Sequence, residues 1–192
     1  AVKADSVSFD TVYRMRNHQY GPRPVRFFIF SNDTEHKLGD SPLPNGMIRT
    51  FRDNGRDGLA FLGAEYLEYV PVRSKIELNL GADDLVVFES LVSDLKRSDF
   101  GHDIYDSVVS WDELTTWISM VKNYRSKPIT FELRQQWSGD TEYKSDLPAS
   151  LFDYMTVETI FTVESRDVKK LHSYVLQHLG KASKQNRVLL KK

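Results

Sequence analysis

The sequence predicts an all-β fold, an antiparallel β-sandwich that could hold two packed β subdomains, on three observations. Apolar residues recur with period two in most segments, clusters of Gly, Asn, Asp and Pro separate those segments, and no long amphipathic helices alternate with them. In residues 7–16 the odd positions carry Val7, Phe9, Thr11, Tyr13 and Met15 and the even ones are polar apart from Val12, the pattern of a half-buried strand. Residues 25–30, β-branched and aromatic and followed by Ser31-Asn32-Asp33, read as a strand buried on both faces. Two apolar runs between Met47 and Tyr69 flank Asp53-Asn54-Gly55-Arg56-Asp57-Gly58, whose Asn-Gly and Asp-Gly pairs supply the positive φ angles of a hairpin turn. Lys75-Ile76-Glu77-Leu78-Asn79-Leu80 alternates with Ile76, Leu78 and Leu80 inward and stops at Gly81. Further strands are expected at residues 86–95, 129–133, 155–163 and 171–179.

One segment reads both ways. Ser110 and Glu113 have capping-box spacing, and Trp111, Leu114, Ile118 and Val121 recur at helical intervals. Thr115, Thr116, Trp117, Ile118 and Val121 are better strand formers than helix formers, so residues 110–124 are assigned to a strand. The charged and small residues of 94–106 mark either a subdomain boundary or the passage from one sheet of a sandwich to the other.

Composition narrows the function classes. The 192 residues carry 26 Lys and Arg against 27 Asp and Glu, a net charge of −1 that provides no overall basic field for nucleic acid or anionic lipid. With 12% aromatic residues the chain is not a disordered one, and without cysteine it has no disulfide, thiolate nucleophile or cysteine-ligated metal. No apolar run approaches the roughly 20 residues of a transmembrane helix, so no membrane insertion is expected, and the start has no signal-peptide pattern. From Val168 onward there are seven Lys or Arg and no acid, leaving −8 for residues 1–167. That basic end reads as a solvated last strand with a frayed tail.

Leu43-Pro44-Asn45-Gly46 is a rigid turn: Pro44 fixes its own φ, and Gly46 is expected to take a positive one. This turn, with Asn32, Leu38-Gly39, Pro42, the hairpin at Asp57-Gly58, Pro71, Leu80-Gly81, Lys122-Asn123 and Lys127-Pro128-Ile129, resembles in order and spacing the C-terminal part of a mostly bacterial family known only as domain-of-unknown-function family 4139. The resemblance runs from about Tyr13 to Tyr174. It implies a β-sandwich that is the C-terminal portion of a longer protein, at a bacterial cell envelope or in a secreted protein. It brings no catalytic residues. Ala64 stands where the family has an acidic residue, and Leu85-Val86-Val87 where it has a Phe-Asp-Val run.

Candidate chemistry is sparse. Asp53 to Gly58 fails as an EF-hand because Gly55 holds the third position and Ala64 the twelfth, where a bidentate Glu is needed. Asp83-Asp84 and the group Asp103, Asp106, Asp112 and Glu113 could bind calcium between loops, although acidic loop residues are usually just solvated. His18, His36, His102, His172 and His178 show no metal-ligand spacing. His172 and His178 share a strand face about 20 Å apart at 3.3 Å per residue, too far for one metal. His102-Asp103 lacks the helical His and Asp partners of phosphohydrolases. No nucleophile elbow, phosphate loop or dinucleotide fingerprint occurs. No catalytic, cofactor or metal residue is assigned, and no cofactor is expected. Trp111, Trp117, Trp137, Tyr66 and Tyr69 are expected in core or sheet-surface packing, with sugar stacking as the alternative. The leading expectation is a non-catalytic structural or protein-interaction domain, its partner an unidentified protein or envelope component. A carbohydrate-binding module comes second, and a hydrolase with paired carboxylates third; the sequence leaves the oligomeric state open.

Overall fold

The structure, a computed structural model, describes residues 6–191. It is an all-β protein, 62% strand and 2% helix. The strands are β1 (Asp10–Met15), β2 (Val25–Ser31), β3 (Gly46–Asp53), β4 (Leu59–Leu67), β5 (Lys75–Ala82), β6 (Val86–His102), β7 (Val108–Asn123), β8 (Ile129–Gln136), β9 (Asp140–Ser145), β10 (Ala149–Leu151), β11 (Thr156–Val163), β12 (Val168–Gly180) and β13 (Arg187–Leu190). One short helical turn, α1 (Asn17–Tyr20), follows β1. The chain divides into two compact units, the first comprising residues to Tyr13 and Val25–Asp83, the second Arg14–Pro24 and the residues from Asp84 on. Residues 94–106 form the far half of β6 and its turn into β7.

In unit 1, the start of β1 is followed in the sheet by β2 and then β5, and β2 pairs antiparallel with β5 from Phe27↔Asn79 to Ser31↔Lys75. Ile76, Leu78 and Val70 form its core, packed by Phe28, Phe30, Leu38, Leu43, Ile48 and Leu67. Asn32, fully buried, ties the surrounding loops together: its amide donates to the carbonyls of Ser41, Val70 and Pro71 at 3.1, 3.3 and 3.3 Å. The donating NH2 group thus joins two other backbone segments to its own, while the Asn32 side-chain oxygen is buried with no hydrogen-bond partner among the described residues. The strands β3 and β4 make a two-stranded antiparallel ribbon.

Unit 2 holds a five-stranded sheet in the order β13-β9-β12-β7-β6, and a second sheet in the order β10-β11-β8 followed by the end of β1. All pairings within these sheets for which the register is defined are antiparallel except β13 with β9, which is parallel. Between the sheets lie Phe131 and Leu133 of β8, Val157 and Val163 of β11, Val121 of β7, Leu171 and Val175 of β12, Tyr143 of β9 and Val188 of β13, all at most 2% exposed. Phe131 stacks on Phe88 at 6.0 Å and meets Phe161 at 5.5 Å. This is sandwich-like packing of two sheets, in which alternate residues face inward.

The ambiguous segment is strand β7, in register with β12 from Lys122↔Val168 to Ser110↔Gly180. Its helical spacing is overridden because β-branched and aromatic residues fill an inward row of Thr115, Trp117, Ser119 and Val121 between two partner strands. The basic end departs from expectation: Arg187–Leu190 is strand β13, and Val188 is buried against Tyr143, Val157 and Val175. Val188 and Leu190 are drawn to the core despite the flanking cations. Gly46 also differs. It opens β3 without a positive φ, and a Cβ there would meet nothing within 4 Å. The rigid turn is instead held by a two-way backbone bridge between Leu43 and Val70, at 2.9 and 3.0 Å.

Gly46→Val is therefore expected to leave the urea midpoint nearly unchanged, since β-branched residues suit strands. Gly180→Ala is expected to cost about 2 kcal/mol or more, because Gly180 has φ +63° and a Cβ would clash with the Val109 carbonyl oxygen. A Gly180→Ala variant as stable as the parent would show that the β7 and β12 ends do not approach so closely.

Candidate functional site

The β3–β4 ribbon is shaped by its own turn. The Asp53 carboxylate accepts the Gly55 N–H at 2.7 Å, and the Asn54 side-chain oxygen accepts the N–H groups of Arg56 and Gly58 at 2.7 and 3.1 Å. Gly55 and Asp57 hold the positive φ angles. The loop oxygens that a calcium ion would need are thus used by the loop itself. Period two then sends Ile48 and Leu67 inward onto the unit 1 core and Met47, Phe51, Leu59, Phe61 and Tyr66 outward. Those five are between 47% and 71% exposed, with Phe51 and Phe61 in edge contact at 5.5 Å. Asn45 donates to the Tyr66 hydroxyl at 3.0 Å and so orders one end of the face. Tyr69, also exposed, follows the ribbon. Among the described residues, Arg49, Arg52 and Arg56 have no acidic partner at ion-pair distance.

Unit 2 contains a cleft of about 520 Å³. Phe88 and Ser90 of β6, Trp117 of β7, Leu133, Arg134, Gln135 and Gln136 of β8 and the adjoining Trp137 supply one part of its wall. Met15, Asn17, His18 and Pro22, from the end of β1 and the α1 segment, supply the rest. Trp117 and Trp137 meet edge to face at 5.8 Å. Gln135 is held through its amide oxygen by the Tyr143 hydroxyl at 3.2 Å, and Ser90 by the Ser119 hydroxyl at 2.9 Å. No carboxylate is among these lining residues. The third tryptophan, Trp111, lies elsewhere, under the Arg97 guanidinium.

Beside the cleft, Arg134 belongs to a buried ion network that the sequence pattern does not announce. Glu132, 6% exposed, accepts from Arg14 Nε at 3.0 Å and from Arg16 at 2.8 Å, and lies 3.3 Å from Arg134. Arg134 also bonds Glu158, its cross-strand partner, at 2.6 Å and caps the Phe152 ring at 3.4 Å. Burial alone pushes the Glu132 carboxyl up; the Arg16 hydrogen bond and the charges of Arg14 and Arg134 more than reverse this, so its pKa lies below the ordinary carboxylate range. Arg14 sits between Tyr13 and Met15, and all three are buried, so the end of β1 breaks the expected polar-out alternation.

The remaining sequence candidates are dispersed. Asp83 accepts the Tyr13 hydroxyl at 2.9 Å, and Asp84 pairs with Arg23. Asp103 caps the N–H groups of Tyr105 and Ser107, Glu113 pairs with Arg97, and Asp106 occupies a positive-φ turn position. His36 bonds Asp33, His172 bonds Asp146 and His178 bonds Asp112, while His102 ends β6 and His18 lines the cleft. Among the described residues no three His, Asp or Glu side chains gather as a metal-binding group. The Asp112 hydrogen bond raises the His178 pKa above 6.5 against the opposing effect of burial, helped by the charges of Asp112, Asp140 and Glu142. Sequence reasoning missed Asn17, Gln135 and Gln136, neutral polar residues whose spacing carries no motif.

Two outcomes follow from these ion pairs. Glu132→Gln, which leaves guanidinium groups buried without their counter-charge, is expected to cost on the order of 3 kcal/mol in urea unfolding at pH 7. The carboxylate's contribution is present above the unfolded pKa near 4.5 and is lost as pH falls through the depressed folded value, so the variant should show a flatter acid limb. His178 behaves oppositely. Its contribution is present below 6.5 and fades as pH rises through its raised folded pKa, so the stability gap between the parent and His178→Gln should shrink from pH 6 to pH 9. A gap that widens over that range would contradict the raised pKa.

No family model, no curated protein and no solved structure matches this chain. The resemblance to family 4139 accordingly rests on its turn and strand residues alone.

Proposed function

We propose that the chain is a non-catalytic protein-interaction domain that docks through the outer face of the β3–β4 ribbon. The observation that carries this reading is the gathering of Met47, Phe51, Leu59, Phe61 and Tyr66 on one solvent face of a two-stranded ribbon. Single exposed apolar residues need no explanation, but a contiguous group of large ones on one sheet face marks an interaction surface. Arg49 stands within that face and Arg56 in the turn at its end, while Arg52 points to the opposite side, so the fitting partner is an apolar protein surface carrying acidic residues to meet Arg49 and Arg56. A second copy fits poorly, because a twofold contact would bring the arginines of the two ribbons together. The family resemblance, which brings no catalytic residues, accords with this reading.

The test is selection of peptides from a random displayed library on the full chain, followed by binding to Phe61→Ser and Arg49→Glu variants. The expected peptides combine aromatic or aliphatic residues with Asp or Glu, and bind at least tenfold more weakly to either variant. Both substitutions are at exposed positions and should change stability by less than about 0.5 kcal/mol. Peptides that bind the variants as well as the parent, or a chain that dimerises through this face in sedimentation, would overturn the proposal.

A further inference from the structure

We propose that the cleft in unit 2 is a binding site for a neutral saccharide. It is separate from the ribbon face, and the inference does not depend on the docking function assigned to that face. Its volume of about 520 Å³ falls within the roughly 300–1,000 Å³ of small-ligand sites. Apart from Arg134 and the imidazole of His18, its lining divides into two chemical classes. Trp117, Trp137, Phe88, Met15, Leu133 and Pro22 offer apolar and aromatic surface, and Asn17, Gln135, Gln136 and Ser90 offer neutral groups that both donate and accept hydrogen bonds.

Charge decides among ligand classes. A cation would need a carboxylate, and none lines the cleft. An anion would find Arg134, but that guanidinium already bonds Glu158, lies beside Glu132 and covers Phe152, so its charge is matched before any ligand arrives. A wholly apolar ligand would strip water from the amides without replacing their hydrogen bonds, which is costly for each group. A pyranose meets both classes at once. Its C–H face packs against aromatic rings, and its hydroxyls, each donor and acceptor, match amides and a serine hydroxyl. Two amide-bearing side chains, Asn17 and Gln136, are exposed and stand free to meet a ligand at the mouth, while Gln135 is oriented in advance by Tyr143.

The full chain is to be tested on an array of neutral and acidic glycans, and the best binder titrated in solution by tryptophan fluorescence. Two of the three tryptophans line the cleft, so occupancy should shift their emission saturably. The expected result is binding of neutral glycans, weakened at least tenfold in Gln136→Ala and in Asn17→Ala, with melting temperatures within a degree or two of the parent's. Binding should be unchanged in Phe61→Ser, which separates this site from the ribbon face. Absence of any neutral glycan signal, binding confined to acidic glycans, or full binding by both cleft variants would each overturn the assignment.

Discussion

The two sheets of unit 2 differ in length, and much of the molecule follows from that mismatch. The facing strands β8 and β11 have eight residues each, about 26 Å at 3.3 Å per residue, whereas β7 and β6 have 16 and 17, upwards of 50 Å. A short sheet cannot cover a long one. The cover lies over β9, β12, the Val121 end of β7 and the Val86–Phe88 end of β6, and there the inward side chains are buried. Past Phe88, every residue of β6 from Glu89 to Phe100 is exposed. The cleft opens where the cover ends, between Phe88, Ser90 and Trp117 on the long sheet and Leu133 to Trp137 on the short one. The same long edge is kept from pairing with other chains by devices common to natural edge strands: register shifts between Val92 and Asp94 and between Ser98 and Gly101, and charged residues Asp94, Lys96, Arg97 and Asp99 along its length.

Where β1 ends, the alternation of polar and apolar residues gives way to a different economy. Arg14 is buried because Glu132 awaits it on β8, and Glu132 is tolerable in the interior because three guanidinium groups surround it. Such a network is a poor source of net stability, since desolvation offsets most of its attraction. Its effect is positional. It holds the end of β1 and Arg134, and thereby the residues that flank the cleft. Arg134 consequently reaches the cleft wall already paired with Glu158 and beside Glu132.

Neither surface resembles a catalytic centre. The ribbon face is apolar, with Arg49 unpaired among the described residues, and the cleft is aromatic and amide-lined. The His–Asp pairs are spread over separate elements, and His178, the one with a raised pKa, faces carboxylates without a nucleophile among its bonded partners. These pairs connect strands and turns.

The sequence by itself determined the fold class, because inward and outward residues alternate along nearly every long strand and a half-buried strand can satisfy that pattern in only one register. It also marked the ribbon's turn, since Gly55 and Asp57 have local reasons to be where they are. Short polar strands escaped it. Strand β9, Asp-Thr-Glu-Tyr-Lys-Ser, has Tyr143 as its only large apolar residue, and β13 is hidden among cations; each is a strand because neighbours supply hydrogen bonds and a core to bury against. Only tertiary structure could bring Asn17, Trp117 and Gln136 to one cleft, since they are neutral, far apart in the chain and free of any spacing rule. Only tertiary structure could show that Arg14 is interior, because the partner that makes its burial tolerable lies 118 residues away.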